Sequence, residues 1–408
     1  MRELREITKC RVCNSTDLVK YLDLGSLPLS NSLSKYYLEF KSEYPLEVYL
    51  CNECHLSQLG LVVNPNILFH DYVYESSVSE TFKKHCKRMA NDLKIEFGRS
   101  EDALVMDIAA NDGCLLEQFR SVGFNRVLAV EPSKNLAWKC IDKSIPVIPE
   151  FWSEKLANEH RSNYSCGAQF ITATNVLAHV DDIYDFLAGV KWFLEPDGVF
   201  VCEVPYMGNL LLDNEFDTIY HEHLSYFLLK PLVLAFEKAG LPIFRIEHFD
   251  IHGGSLRVYA SKGFHEVEDS VIDLLEDEKL NGMYEISTYR TLRENTNSIK
   301  VVLNDKLRSV VAEGKTVYGY AASAKGINLL NYCDIDQTLV KFVVDDTPSK
   351  QGKFIPCANI EIVDFSLFET RKPDYILILA WNFKDELMDK TKHLGCKYII
   401  PIPEVEVI

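Results

Sequence analysis

Between residues 103 and 205 apolar runs and helical segments take turns, and this alternation restricts the fold more than any other feature. "ALVMDIA", "RVLAVE", "GAQFITATNV" and "GVFVCEVP" are short, nearly continuous apolar runs. Runs of that kind are strands buried on both faces. "CLLEQFRSVG" and "IYDFLAGVKWFLEPDG" fall between them with helical spacing and a glycine stop. Apolar strands alternating with helices predict a parallel sheet covered on both sides. "PIFRIEHFDIHGGSLRVYAS" then reads as two strands around a Gly-Gly turn, antiparallel additions to that sheet. A charged helical stretch, roughly 268–312, leads to a second, smaller α/β unit. It runs through "TVYGYAA", "AKGINLLNYC", "LVKFVVDD", "DYILILAW", "FKDELMDKTKHLG" and "KYIIPIP". The 408 residues thus divide into parts spanning 1–70, 71–290 and 291–408.

The charge balance narrows the partners. A net charge of −17 argues against nucleic acid or an anionic membrane surface, while a local basic pocket for a small phosphorylated ligand remains compatible with it. No apolar run approaches the ~18 residues a membrane span needs. "MRELREITKC" has no apolar stretch to act as a signal peptide, so the expected location is cytoplasmic.

Four of the twelve cysteines form two CxxC pairs, Cys10/Cys13 and Cys51/Cys54, separated by 37 residues in a loop-rich segment. Two such knuckles supply the four thiolates of a tetrahedral, structural zinc site. Reduced, unrelated thiols and a redox pair are weaker alternatives, and neither pair opens a helix after a strand as a thioredoxin-type motif does. His55, next to Cys54, is a possible substitute ligand.

The first strand of the parallel sheet ends in "MDIAANDGCLL". Ligands of such sheets bind in the crevice outside the carboxyl ends of the strands. This loop offers Asp107, Asn111 and Gly113 instead of the three glycines a dinucleotide requires. An acidic loop suits a cofactor that is cationic and free of phosphate, such as S-adenosylmethionine with its sulfonium and amino group. The second strand ends in "VEPS", where Glu131 can accept both hydroxyls of an adenosine ribose, with Ser133 beside it. "NVLAHV", with Asn175 and His179, forms a third edge of the same crevice. Each residue alone also reads as a turn former.

The stretch "FDTIYHEHLSYF", 216–227, sets two histidines and a glutamate among four aromatic side chains. It lacks the HExxH spacing of a zinc protease. His221 and His223, two apart, would face the same way on a strand as a metal pair, but no further ligand lies nearby in sequence. Acid–base chemistry is the competing reading.

Taken in order, these blocks resemble the S-adenosylmethionine-dependent sugar C-methyltransferases of the tylosin-pathway type. The resemblance rests on the paired CxxC with "LDLGSLPLSNSL" between them, "YVYESSVSETFKKH", "DIAANDGCLLEQF", "EPSKNLA", "NVLAHVDDIYDFL", "FDTIYHEHLSYF", "HGGSLRVY", "GYAASAKGINLLNY", "DDTPSKQGKFIP" and "ILAWNF". It covers nearly the whole chain. Ala110 stands where a serine is expected, and "PCANIEI" and "GYAASAKG" depart from the usual C-terminal turns. The resemblance implies a zinc-binding N-terminal domain, a Rossmann-like class I methyltransferase sheet and a C-terminal Rossmann-like α/β domain. It implies methylation of a carbon, carbon 3 first, beside the ketone of a nucleotide-linked 4-keto-6-deoxyhexose. Carbon-5 methylation, another keto substrate and a non-catalytic zinc- and nucleotide-binding relative are the alternatives. It assigns the base to His223, with Tyr220 and Glu222 close by; Tyr220 and His221 are candidates to order the ketone or enolate.

Three further groups are candidates for substrate. Tyr72, Tyr74, Ser76 and Ser79 lie just before the sheet and can form a lid, although serines there also read as helix caps. His252 and Arg257 flank a tight glycine turn and offer a fork for a diphosphate. Lys325 opens a helix of the last unit, a second phosphate candidate.

Overall fold

The computed structural model describes every residue except Met1, Arg2, Phe40, Asp71, Ser165 and His252. The main sheet of the amino-terminal part holds three antiparallel strands, β1 (Leu18–Pro28), β2 (Glu43–Cys51) and β3 (Ser57–Leu59), beside a short pair at Leu4–Glu6 and Leu61–Val63. In β2 the alternation of buried Tyr44, Leu46, Val48 and Leu50 with more exposed neighbours marks a sheet with one covered face.

Helix α1 (Glu80–Phe97) leads into the central sheet; Ser79 caps it by accepting from the Phe82 amide. The parallel strands are β4 (Leu104–Ile108), β5 (Arg126–Val130), β6 (Val147–Ile148), β7 (Ala168–Thr174) and β8 (Leu194–Pro205). Between them run α2 (Cys114–Ser121), α3 (Lys134–Asp142) and α4 (Ile183–Phe193). Strand β8 begins earlier than the sequence predicts. Leu194 already pairs with Ala168, and an irregularity before Val199 takes up "EPDG", which reads as a helix end in one dimension.

The next strand, β9 (Ser225–Tyr226), leaves the central unit altogether. It pairs antiparallel with β3 and becomes the edge of the amino-terminal sheet. Strands β10 (Ile243–Phe249) and β11 (Ser255–Ala260) return to the central sheet antiparallel, as expected, giving the order β10-β11-β8-β7-β4-β5-β6.

The expected helical stretch is two helices, α5 (Asp269–Leu280) and α6 (Ile286–Ala312). Helix α6 packs on β1, where Tyr289 and Tyr21 meet edge to face at 4.9 Å. The last sheet holds β12 (Val317–Tyr320), β13 (Phe342–Val344), β14 (Glu361–Val363), β15 (Tyr375–Ile378), β16 (Lys397–Ile400) and β17 (Glu406–Val407). Its order is β14-β13-β12-β15-β16-β17, parallel except for β17, and helix α7 (Ala324–Tyr332) follows β12. One continuous apolar core runs from Leu22 and Leu50 through Phe200 and Leu229 to Ile327 and Leu377. The three parts are therefore packed on one another, which matters for the site below.

Candidate active site

The loop after β4 is bent for close approach. Ala109, Asn111 and Gly113 all adopt positive φ, near +53°, +53° and +79°. At Gly113 the φ of +79° strains any side chain, and a Cβ there would also press on Ile145 Cδ1 at 2.7 Å, so glycine suits this start of α2. Glu131 sits at the end of β5, 3% exposed. Its two oxygens accept from the Asn111 amide (2.8 Å) and the Ser133 amide (2.7 Å). The Ser133 hydroxyl adds a third bond, and a carboxylate has about four lone-pair sites, so one remains for a hydroxyl of a vicinal diol. Asp107 is buried and takes the Thr172 hydroxyl at 2.7 Å. Burial, the main cause, pushes its carboxyl up to about 7, with Glu131 and Glu203 adding in the same direction. A cationic ligand beside it would reverse that cost. Asn175, at φ +57°, buries an Oδ1 with no partner among the described residues. An acidic crevice, a diol acceptor and an orphan acceptor together fit S-adenosylmethionine.

The segment before α1 lies across this loop. The Ser76 and Ser77 amides donate to Asn111 Oδ1 (3.0 Å) and Asp112 Oδ2 (3.1 Å), and Asn111 Nδ2 donates to the Tyr74 carbonyl (3.0 Å). Asn135 of α3 clamps the Tyr72 main chain from both sides, and Glu75 pairs with Lys139. Tyr72 then reaches the other wall of the crevice, its hydroxyl donating to Glu222 Oε2 at 3.0 Å.

Residues 216–224 form a buried loop opposite. His223 Nδ1 lies 2.9 Å from the Thr218 carbonyl, and Nε2 lies 3.0 Å from the Tyr220 hydroxyl. A carbonyl only accepts, so the proton sits on Nδ1 and Nε2 presents its lone pair. Burial pushes the Tyr220 phenol well up, and Glu222 adds to this, so Tyr220 stays a donor. Glu222 accepts from Asn31 Nδ2 (2.7 Å) as well as Tyr72. Burial outweighs these two bonds and raises Glu222 to about 7. His179 packs edge-on against His223 at 4.8 Å between ring centres; burial lowers it to about 4, so it is a neutral wall of the crevice.

The raised Glu222 has a pH signature. Its ordinary value is 4.5, so the unfolded chain releases this proton first as pH rises. Stability from the protonated form is present below pH 4.5 and is lost as pH rises through about 7. Glu222→Gln removes that loss. Denaturation of the cofactor-free proteins should show the variant gaining on the parent between about pH 5 and about pH 8, by at most about 3 kcal/mol. A difference independent of pH would contradict it.

Not every predicted residue joins the site. His221 turns toward the amino-terminal sheet, Nε2 3.0 Å from the Tyr44 carbonyl, and burial lowers it to about 4. Arg257 corrects the diphosphate expectation. It is fully buried on β11, with Nε 2.5 Å from Glu203 and Nη1 3.3 Å from Glu247, so its fork is already filled by carboxylates. His252 lies outside the described residues. Lys325 lies 3.6 Å from Glu215 and over the Trp381 ring, a carboxylate neighbourhood unlike a phosphate site. Ser79 is the helix cap that its position also allowed. His179 belongs beside His223 more than beside the cofactor loop. Asn31, Asn135 and the Thr218 carbonyl are new. Asn31 lies in "LPLSNSL", and only its position between distant segments reveals its contact with Glu222.

The four paired cysteines do converge. Cys10 and Cys54 Sγ are 3.4 Å apart, as are Cys13 and Cys51, and all four lie within 4.8 Å of one another. Tetrahedral Zn–S bonds of ~2.3 Å place sulfurs about 3.8 Å apart, so the set fits structural zinc. Asn14 and His55 follow the second cysteine of each pair at positive φ, and their amides close each knuckle onto Cys10 and Cys51. His55 is outside the ligand set and faces the Tyr284 ring. Arg11, inside the first knuckle, sends Nη1 to the carbonyls of Leu59 and Leu224.

Residues 10–69 match the family model of a zinc binding domain, residues 81–245 that of a methyltransferase domain, and residues 250–403 that of a C-methyltransferase C-terminal domain. The chain is 37% identical over 413 residues to the C-methyltransferase NovU of Streptomyces niveus, spanning 99% of this chain and 98% of the relative. A solved S-adenosylmethionine-dependent methyltransferase from Clostridium acetobutylicum ATCC 824 aligns with 45% of this chain and 92% of its own, at 13% identity and a TM-score of 0.36. The magnesium protoporphyrin IX methyltransferase of Synechocystis PCC 6803 with bound SAH aligns with 44% and 81%, at 11% identity and a TM-score of 0.34.

Proposed function

This chain belongs to the C-methyltransferase family, with S-adenosylmethionine as cofactor and a structural zinc, and from that premise we propose that it methylates a sugar carbon. The substrate is a nucleotide-linked 4-keto-6-deoxyhexose, and the carbon is carbon 3, beside the ketone.

The observation that carries this reading is the His223–Tyr220 pair. S-adenosylmethionine, when bound, supplies an electrophilic methyl group. A sugar carbon becomes a nucleophile only after losing a proton, and that proton is acidic enough only next to a carbonyl. His223, its Nδ1–H held by the Thr218 carbonyl, presents Nε2 to take it. The Tyr220 hydroxyl, a donor at neutral pH, turns from Nε2 to the enolate oxygen as charge develops there. Glu222 holds the lid through Tyr72 and the amino-terminal domain through Asn31. Burial of the whole loop keeps water from the enolate.

The test is incubation with S-adenosylmethionine and a panel of TDP-, GDP- and CDP-4-keto-6-deoxyhexoses, read by mass spectrometry. The expected result is the mass gain of one methylene on at least one sugar; no gain on any sinks the substrate reading. On the cofactor side, Glu131→Ala removes the diol acceptor. Bonds to a charged group contribute ~1.5–3 kcal/mol, so binding should weaken by about 10- to 100-fold in calorimetry. An unchanged affinity would remove Glu131 from the ribose site.

A further inference from the structure

The loop that carries His223 is held from the C-terminal domain by contacts the proposed reaction does not use. Asn328, on α7, is 2% exposed. Its Nδ2 donates to the Asp217 carbonyl at 3.2 Å and the Ile219 carbonyl at 2.7 Å. Trp381 Nε1 donates to Asp217 Oδ2 at 2.8 Å, and Lys325 stands 3.6 Å from Glu215. The two carbonyls that Asn328 binds flank Thr218, whose own carbonyl receives His223 Nδ1–H.

We propose that Asn328 is a positioning residue that fixes the tautomer of His223 through the Thr218 carbonyl, which gives the C-terminal domain a part in proton abstraction without touching the reacting atoms. The proposal rests on His223 being the base. A peptide group is planar, so a carbonyl turns only with its whole unit. With the carbonyls of residues 217 and 219 held, the 218–219 unit between them has little freedom to flip. The side of an imidazole that carries the proton is set by the hydrogen bond the other nitrogen makes. While the Thr218 carbonyl faces Nδ1, the proton stays there and Nε2 is a base. If that unit turns away, the proton moves to Nε2 and the lone pair that should take the sugar proton is gone. The Ile219 amide of the same unit donates to the Phe216 carbonyl at 3.0 Å, and the Asn328 amide, from a different domain, completes the hold that sets which nitrogen is reactive. The Trp381–Asp217 bond restrains the same turn from its other side.

The experiment is ¹⁵N NMR of the imidazoles in full-length, zinc-loaded protein, with His223 assigned by difference against His223→Gln. The parent should show the Nδ1–H tautomer. Asn328→Leu, which keeps apolar bulk and loses both donors, should show a mixture or the Nε2–H form. Its rate of proton exchange beside the ketone should fall about 100-fold, the cost of a small misplacement at a reacting centre, with KM for the keto-sugar changed only a few-fold. If Asn328→Leu fails to fold, Trp381→Phe loosens the same loop from a half-buried position and should move the tautomer in the same direction. An unaltered Nδ1–H signal in the folded variant overturns the proposal, as does a parent already in the Nε2–H form. The spectroscopic result needs no sugar, so failure of the parent to methylate any keto-sugar is a separate finding about the substrate.

Discussion

His223→Ala is expected to lower both methyl transfer and hydrogen exchange beside the ketone by about 10²- to 10⁴-fold, the usual contribution of a positioned general base. Binding of S-adenosylmethionine should persist, because the proposed cofactor contacts, Asn111, Gly113 and Glu131, lie on strand ends of the central sheet and not on this loop. Exchange in deuterated water isolates the step, since it needs the base and the sugar but no methyl donor. Tyr220→Phe provides the comparison. It leaves Nε2 without its donor but keeps the Thr218 bond, so exchange should fall less than in the alanine variant. Exchange at the parental rate in His223→Ala would remove His223 from the reaction and shift attention to Glu222, raised to about 7 and therefore also able to move a proton.

Loss of zinc should sharply lower activity although the four paired cysteines lie outside the loop of His223. Cys51→Ser breaks the four-sulfur set. Structural zinc contributes folding free energy on the order of 10–16 kcal/mol in small domains, so the knuckles should not survive. Three contacts fail with them. Arg11 releases the Leu224 carbonyl, β3 loses its pairing with Ser225 and Tyr226, and Asn31 leaves Glu222. All three fall on or next to the loop of His223. Turnover should drop by at least about 100-fold, as expected when a reacting group is displaced. Cofactor affinity, which depends on the central sheet, should change only a few-fold. Metal content measured beside turnover tests this: full activity with substoichiometric zinc would show that the amino-terminal domain is dispensable for the site.

Much of the architecture is legible in one dimension because it is periodic or local. β4, β5, β7 and β8 are apolar runs buried on both faces, and the cofactor loop follows directly from where β4 ends. The cysteine pairs are legible because ligand spacing is a local property. What escapes is set by partners far along the chain. Nothing in "LSYF" says that Ser225 and Tyr226 will pair with Ser57 and Gln58. Arg257 reads as a fork beside a glycine turn, but its partner Glu203 comes from a strand more than fifty residues earlier. His179 lies four residues after Asn175, yet the short helical turn at Leu177–His179 carries it to His223. "EPDG" reads as a helix end because a strand irregularity has no sequence period.

The two-residue strand Ser225–Tyr226 carries a thermodynamic consequence. It directly follows the loop of His223 in sequence and belongs by hydrogen bonding to the sheet that carries Cys51. Binding equilibria that share an element are reciprocal: if metal occupancy raises the affinity for substrate by some factor, substrate raises the affinity for metal by the same factor. Metal and substrate would then act on one equilibrium, and wherever bound metal strengthens substrate binding, bound substrate holds the metal more firmly in return.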